Sequence, residues 1–146
     1  MRIRVSQLTC ELRTDKMAAE ILIPDFQHLP GKNCLTTAIR NILNSYGYRF
    51  AEPLIFGLCE GLGFQFERHE KLVNPFVGGT GRRLLQNFCG NLDLQFELLA
   101  FDSDDDAEQD LLALIDAGIP AIVHVDLFYL PYFGSEMHFA GHRVVP

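Results

Sequence analysis

The stretch Asn33-Cys-Leu-Thr-Thr-Ala-Ile-Arg-Asn-Ile-Leu-Asn-Ser-Tyr-Gly47 decides how the rest of the chain is read. Leu35, Ala38, Ile39, Ile42, Leu43 and Tyr46 recur at steps of three and four, which stacks them on one helical face. Asn33 carries the short side-chain oxygen that caps a helix start, and Gly47 tolerates the left-handed backbone that ends one. The spacing predicts a helix over 34–46 whose first residue is Cys34. Only a thiolate attacks well, and a helix N-terminus stabilises an anion through its unpaired N–H groups and the positive end of its dipole.

Upstream, residues 1–20 show little apolar periodicity and read as a loose N-terminal leader, so the domain proper spans 21–146. Ile21–Ile23 reads as a short extended segment stopped by Pro24. Downstream, a second helix is predicted over Pro53–Glu60 with proline in its first turn, broken by Gly61-Leu-Gly63. Phe64 and Phe66 alternate as in a strand, Leu72–Val77 reads as another, and Gly78–Gly81 as a turn. Arg82–Cys89 is helical in pattern and 94–101 a half-buried strand. Ser103 caps an acidic helix start that suits the dipole, with Leu111, Leu112, Leu114 and Ile115 as its inward side and Gly118 and Pro120 at its end. Ala121–Val125 is a β-branched strand, Leu127–Gly134 an aromatic loop, and His138–Val145 a last strand.

Composition removes several classes of function. The chain has 146 residues, 48% of them hydrophobic, enough for one core. No run reaches the roughly 18 apolar residues of a membrane span, and polar Ser6, Gln7 and Thr9 interrupt any signal-peptide core, so a cytoplasmic protein without membrane association is expected. Net charge is −7, and the basic residues are scattered apart from Arg82-Arg83, so nucleic acid is not an expected partner. The cysteines at 10, 34, 59 and 89 form no C-x-x-C pair, and the histidines give no zinc spacing. No metal site is expected. Cys59 and Cys89 lie on apolar helix faces and read as core.

Cys34 is the candidate nucleophile. Pro30 and Gly31 keep the preceding loop tight, so backbone N–H groups near the thiol are placed to face a substrate oxygen, and Gln27 offers a side-chain amide to the same oxyanion hole. A histidine on a late strand would take the thiol proton. Each residue alone has a plainer reading. A lone cysteine at a helix start is more often structural, His142 alone is an ordinary strand histidine, and Asp126 after a strand is most often a turn residue.

Several segments in order sharpen that reading. Gly31-Lys-Asn-Cys-Leu-Thr-Thr-Ala-Ile-Arg-Asn-Ile-Leu-Asn-Ser-Tyr-Gly-Tyr48 precedes Glu52-Pro-Leu-Ile-Phe-Gly-Leu-Cys-Glu-Gly-Leu-Gly-Phe64. Later come Leu114-Ile-Asp-Ala-Gly-Ile-Pro-Ala-Ile-Val-His-Val-Asp-Leu-Phe-Tyr-Leu-Pro-Tyr132 and His138-Phe-Ala-Gly-His-Arg-Val-Val145. Over about residues 21–145 the chain resembles the N-terminal domain of the butirosin-biosynthesis acyltransferase family. The resemblance implies an α+β, papain-like cysteine fold, related to bacteriocin-processing peptidases, with N-terminal helices packed on a mostly antiparallel sheet. It implies a cysteine acyltransferase of secondary metabolism that moves an acyl or aminoacyl group from a carrier-protein thioester to a small-molecule amine, with no cofactor. Cys34 matches the nucleophile. His142 matches the base better than His138 does; Asp126 matches a family position of no assigned role, and the third residue that orients the histidine is missing unless Asp126 substitutes for it. Gln27, Asn33 and His138 are the neighbouring oxyanion and substrate-binding candidates.

Family members continue past the histidine strand into a Gly-Tyr-Asp-like turn and a second region, whereas this sequence stops at Pro146. The expectation is therefore a truncated copy, a partial product or a minimal domain that works with another chain, and a truncated sheet would leave an edge after the last strand for a homodimer or a partner chain. Two alternatives stand beside acyl transfer: a cysteine peptidase or amidase on the same fold, and a catalytically inactive binding module.

Overall fold

Order along the chain is set by short elements: β1 (Arg2–Gln7), α1 (Cys34–Ser45), α2 (Glu52–Leu58), β2 (Gln65–Glu67), β3 (Phe76–Gly78), α3 (Leu84–Asn91), β4 (Gln95–Ala100), α4 (Asp104–Asp116), β5 (Ile122–Asp126) and β6 (Gly141–Val144). The computed structural model describes residues 2–7, 23, 26–68, 76–79, 83–126, 128, 130 and 141–145, with backbone alone for 2–7, 67, 76, 141 and 142. The class is α+β, as expected.

Asn33 caps α1 as its sequence position predicts, accepting from the N–H groups of Leu35 and Thr36. Gly47 follows the helix with φ +85°, the left-handed conformation for which glycine is suited. Leu35, Ala38, Ile39, Ile42 and Leu43 are buried, and burying an Ile or Leu side chain contributes roughly 1.5–3 kcal/mol. Tyr46, assigned to the same face by spacing, is exposed because the helix has already ended there. Leu112 of α4 is also exposed; it lies off the row of Ala107, Leu111 and Leu114 that turns inward.

Among the described residues two sheets form, one of β4-β1-β5-β6 and one of β2-β3. The larger is mixed. The antiparallel pairing expected of the domain holds for β5–β6, as it does for β2–β3, whereas β1 pairs in parallel with both β4 and β5. Arg2–Gln7 thus departs from the loose leader expected over residues 1–20. Its order comes from backbone pairing on both edges, which apolar periodicity does not announce. Residues 8–20, Ile21 and Leu22 of the expected extended segment, and 131–140, which include His138, lie outside the described residues.

The sheet separates two apolar clusters. On one face Ile122 and Val145 pack with the apolar side of α1, with Ile55 and Cys59, and with Leu84, Leu85, Phe88 and Cys89 of α3. On the other, Val123, Val125 and Val144 pack with Ala107 and Leu111 of α4. Helix α1 lies against β6, so the helix opened by Cys34 and the strand that carries His142 are neighbours.

Candidate active site around Cys34

The chain approaches Cys34 through residues 26–33, a segment without regular structure that is tied at Phe26, Leu29, Pro30, Lys32 and Asn33. Phe26 packs on the core. Asn41, buried on the inner face of α1, pairs with both backbone groups of Leu29: Leu29 N–H donates to its Oδ1 at 3.1 Å, and its Nδ2 donates to the Leu29 carbonyl at 3.3 Å. Arg40 Nη2 donates to the carbonyls of Leu29 and Pro30 at 2.8 and 2.7 Å.

Glu52, at the first turn of α2, holds the last part of the loop. Its Oε1 accepts from the Lys32 N–H (3.0 Å), the Asn33 N–H (2.9 Å), the Thr36 hydroxyl (2.9 Å) and the Thr37 hydroxyl (3.1 Å). Its Oε2 shares the Lys32 N–H at 3.0 Å and lies 3.9 Å from Arg40 Nη1. Burial alone pushes the Glu52 carboxyl up, but the N–H groups of Asn33 and Lys32 and the two threonine hydroxyls outweigh it and hold its pKa below the ordinary value. The carboxylate also meets the positive end of α1, whose own first turn contains no acidic residue.

The consequence for the backbone is specific. The N–H groups of Lys32 and Asn33 go to Glu52, those of Leu35 and Thr36 to Asn33 Oδ1, and that of Thr37 to the Asn33 carbonyl. Among the described residues, the peptide N–H of Cys34 is the one donor in this run without an acceptor. The Asn33 side chain uses its oxygen as the cap. Cys34 itself is partly buried, Gln27 is exposed, and both stand outside the hydrogen bonds just described.

The other candidates sit on the sheet. In the β5–β6 register His142 stands across from Val125, Arg143 from His124, and Gly141 from Asp126. Alternation divides these positions into two rows. His124 and Asp126 fall in the row of Ile122, which packs under α1, and Val125 falls in the row of Val123, which packs under α4. The pKa of His124 is lowered, first by burial and then by the adjacent Arg143 cation. Asp126 Oδ1 accepts from the Phe128 N–H at 3.0 Å, closing the local turn that a carboxylate after a strand commonly makes.

Cys59 and Cys89 are the core residues their spacing suggests. Both are fully buried, and burial pushes each thiol up to about 11. Among the described residues no group of His, Cys, Asp and Glu is arranged to hold a metal ion, and no helix is long and apolar enough to cross a membrane.

Sequence reading identified Cys34 and Asn33 but missed Glu52, Arg40 and Asn41, which fix the loop. A signal for Asn41 was present: it is a polar residue three positions after Ala38, inside the apolar stripe of α1.

No curated protein and no solved structure matches the chain. Residues 33–146, beginning at the cap of α1 and running through β6, match the family described as butirosin biosynthesis protein H, N-terminal. This match ties the domain to butirosin-type secondary metabolism and acyl transfer. The chain belongs to the butirosin biosynthesis protein H N-terminal family.

Proposed function

We propose that the domain is a cysteine-dependent acyltransferase in which Cys34 accepts an acyl or aminoacyl group from a carrier-protein thioester and passes it to a small-molecule amine. The observation that carries this reading is the frame around Cys34: a partly exposed thiol opens a helix whose flanking N–H groups are all engaged except its own. That N–H is the natural donor to the oxyanion of a tetrahedral intermediate, with the Gln27 amide as its partner. Family membership supports the acyl chemistry.

The reaction balances without a cofactor. Cys34 Sγ attacks the thioester carbonyl while its proton passes to an imidazole. The carbon–sulfur bond to the carrier breaks, and the imidazolium returns the proton to the departing thiolate. The amine then attacks the acyl-cysteine, its proton goes to the same imidazole, and the amide leaves as Cys34 recovers its proton. The first step exchanges one thioester for another; the second is downhill to an amide.

His142 is the base in this proposal, supported by its place in the Gly-His-Arg-Val-Val segment and by the packing of α1 on β6. Asp126 is the proposed third catalytic residue, and His138 and Asn33 are the proposed substrate-binding residues. The register favours a second reading for the base. His124 shares a row with Asp126 under α1, and burial favours its neutral form, the form a base requires. Replacing each histidine by Asn separates the two, because loss of the base removes turnover and loss of the other does not.

The test is acyl trapping by intact mass, using an S-acetyl thioester of N-acetylcysteamine as donor and hydroxylamine as acceptor. An acetyl group on Cys34, with acetohydroxamate formed faster than the same reagents form it with the Cys34→Ser chain, is the expected result. An adduct resolved by water at the same rate with and without amine selects a peptidase or amidase. No adduct at Cys34 selects an inactive binding module.

A further inference from the structure

We infer that Glu52 is a positioning residue for the Cys34 reaction: it holds the Lys32 and Asn33 peptides so that the Cys34 N–H is left to bind the substrate oxygen. The inference rests on the proposed role of Cys34 and adds to it a residue that does not touch substrate.

The network around Glu52 is built for a carboxylate. Two backbone N–H groups and two hydroxyls converge on Oε1, and Arg40 lies beside Oε2. A neutral amide in the same place would present an N–H₂ group to donors that need an acceptor. Gly31 supplies the space. A Cβ at Gly31 would fall on the Thr37 hydroxyl oxygen and within 2.7 Å of Glu52 Oε2, so the loop approaches the carboxylate only because that residue lacks a side chain. Thr36 is fully buried, and its hydroxyl, 2.9 Å from Glu52 Oε1, also lies 3.3 Å from the Asn33 carbonyl, so its one proton is shared between the network and the cap.

Releasing Glu52 frees two N–H groups directly beside the Cys34 peptide and removes what fixes that peptide's direction. An oxyanion donor acts through its preset aim, so the loss falls on the chemical step rather than on substrate binding.

The experiment compares the full chain with its Glu52→Gln, Gly31→Ala and Thr37→Val variants. Two readouts are taken: hydroxamate formation from acetyl-N-acetylcysteamine and hydroxylamine, and amide hydrogen exchange. Glu52→Gln and Gly31→Ala should each lower kcat by about tenfold or more with KM nearly unchanged, as small misplacements of reacting groups do. Exchange at Lys32 and Asn33 should accelerate while Ile42 and Leu43 stay protected. Thr37→Val removes a single donor, so it keeps the inference testable if the other variants fail to fold; it should lower kcat about threefold, the order of one weakened hydrogen bond. Faster exchange at Lys32 and Asn33 with kcat unchanged would overturn the inference and leave Glu52 as a structural tie. A wild-type chain that forms no acyl-Cys34 would overturn the proposed function and the inference with it, a failure distinguishable because the variants are then never compared.

Discussion

Helices α1 and α4 begin in opposite ways. Helix α4 completes its own N-terminus: Ser103 accepts from the Asp106 N–H, and Asp104, Asp105 and Asp106 supply the negative charge of the first turn. Helix α1 has the cap Asn33 but no acid in its first turn, and the carboxylate that meets its positive end comes from Glu52, nineteen residues beyond the cap. A helix whose start only has to be stable gathers its charge from adjacent residues. At α1 the charge comes from another element, which leaves the first helical position to a thiol and fixes the loop before it. The difference is the one that the proposed role of Cys34 uses.

The largest effect should fall on the thiol. Cys34→Ser should abolish acyl transfer, measured as hydroxamate formation, while changing stability by less than about 1 kcal/mol, as expected for a partly exposed position. The same change at fully buried Cys89 should do the reverse, leaving Cys34 reactive but lowering stability by about 1–3 kcal/mol, since a hydroxyl is less readily buried than a thiol. Equal stability costs at the two positions would break the contrast.

Next in size is the borrowed charge. Glu52→Ala leaves several donors unanswered and should cost about 2–4 kcal/mol in denaturant unfolding. Asp105→Asn at the start of α4 should cost no more than about 0.5 kcal/mol, the range for exposed surface changes. The caps should sit between these values. Asn33→Ala and Ser103→Ala should each lose about 1 kcal/mol, but only Asn33→Ala should also slow alkylation of Cys34.

The smallest effects are those of pH. The folded-state pKa of Glu52 is lowered, so its contribution is present above the unfolded carboxyl value of 4.5 and is lost as pH falls through the lower, folded value. Glu52→Gln should flatten that acid limb. Cys59 and Cys89 are raised from 9.0 to about 11, so their contribution is complete below pH 9 and is lost as pH rises between those values, where the unfolded chain ionises first. Replacing both with Ala should remove this alkaline slope from a plot of unfolding free energy against pH.

Much of the fold was legible because its signals are local. The steps of three and four over 35–43, the caps Asn33 and Ser103, and Gly47 and Gly118 with their positive φ values all act within a few residues of where they are read. Strand β1 was not legible, since six residues paired with β4, three of them also with β5, need no periodicity of their own. The site divides in the same way. Cys34 and its cap could be found from spacing alone, whereas Glu52 looked like the residue before a proline-started helix, and only folding brings its carboxylate to Lys32 and Asn33. The row that each sheet histidine occupies depends on the β5–β6 register, which a single sequence does not specify.

The central claim is that Cys34 is the reactive thiol of this domain, and alkylation of the native chain by iodoacetamide at neutral pH tests it most directly, with peptide mapping to separate Cys34 from Cys59 and Cys89. Modification of Cys34 faster than an unstructured cysteine peptide, with Cys59 and Cys89 untouched until the chain unfolds, is the predicted result. A Cys34 that reacts no faster than the peptide, or more slowly than either core cysteine, would contradict it.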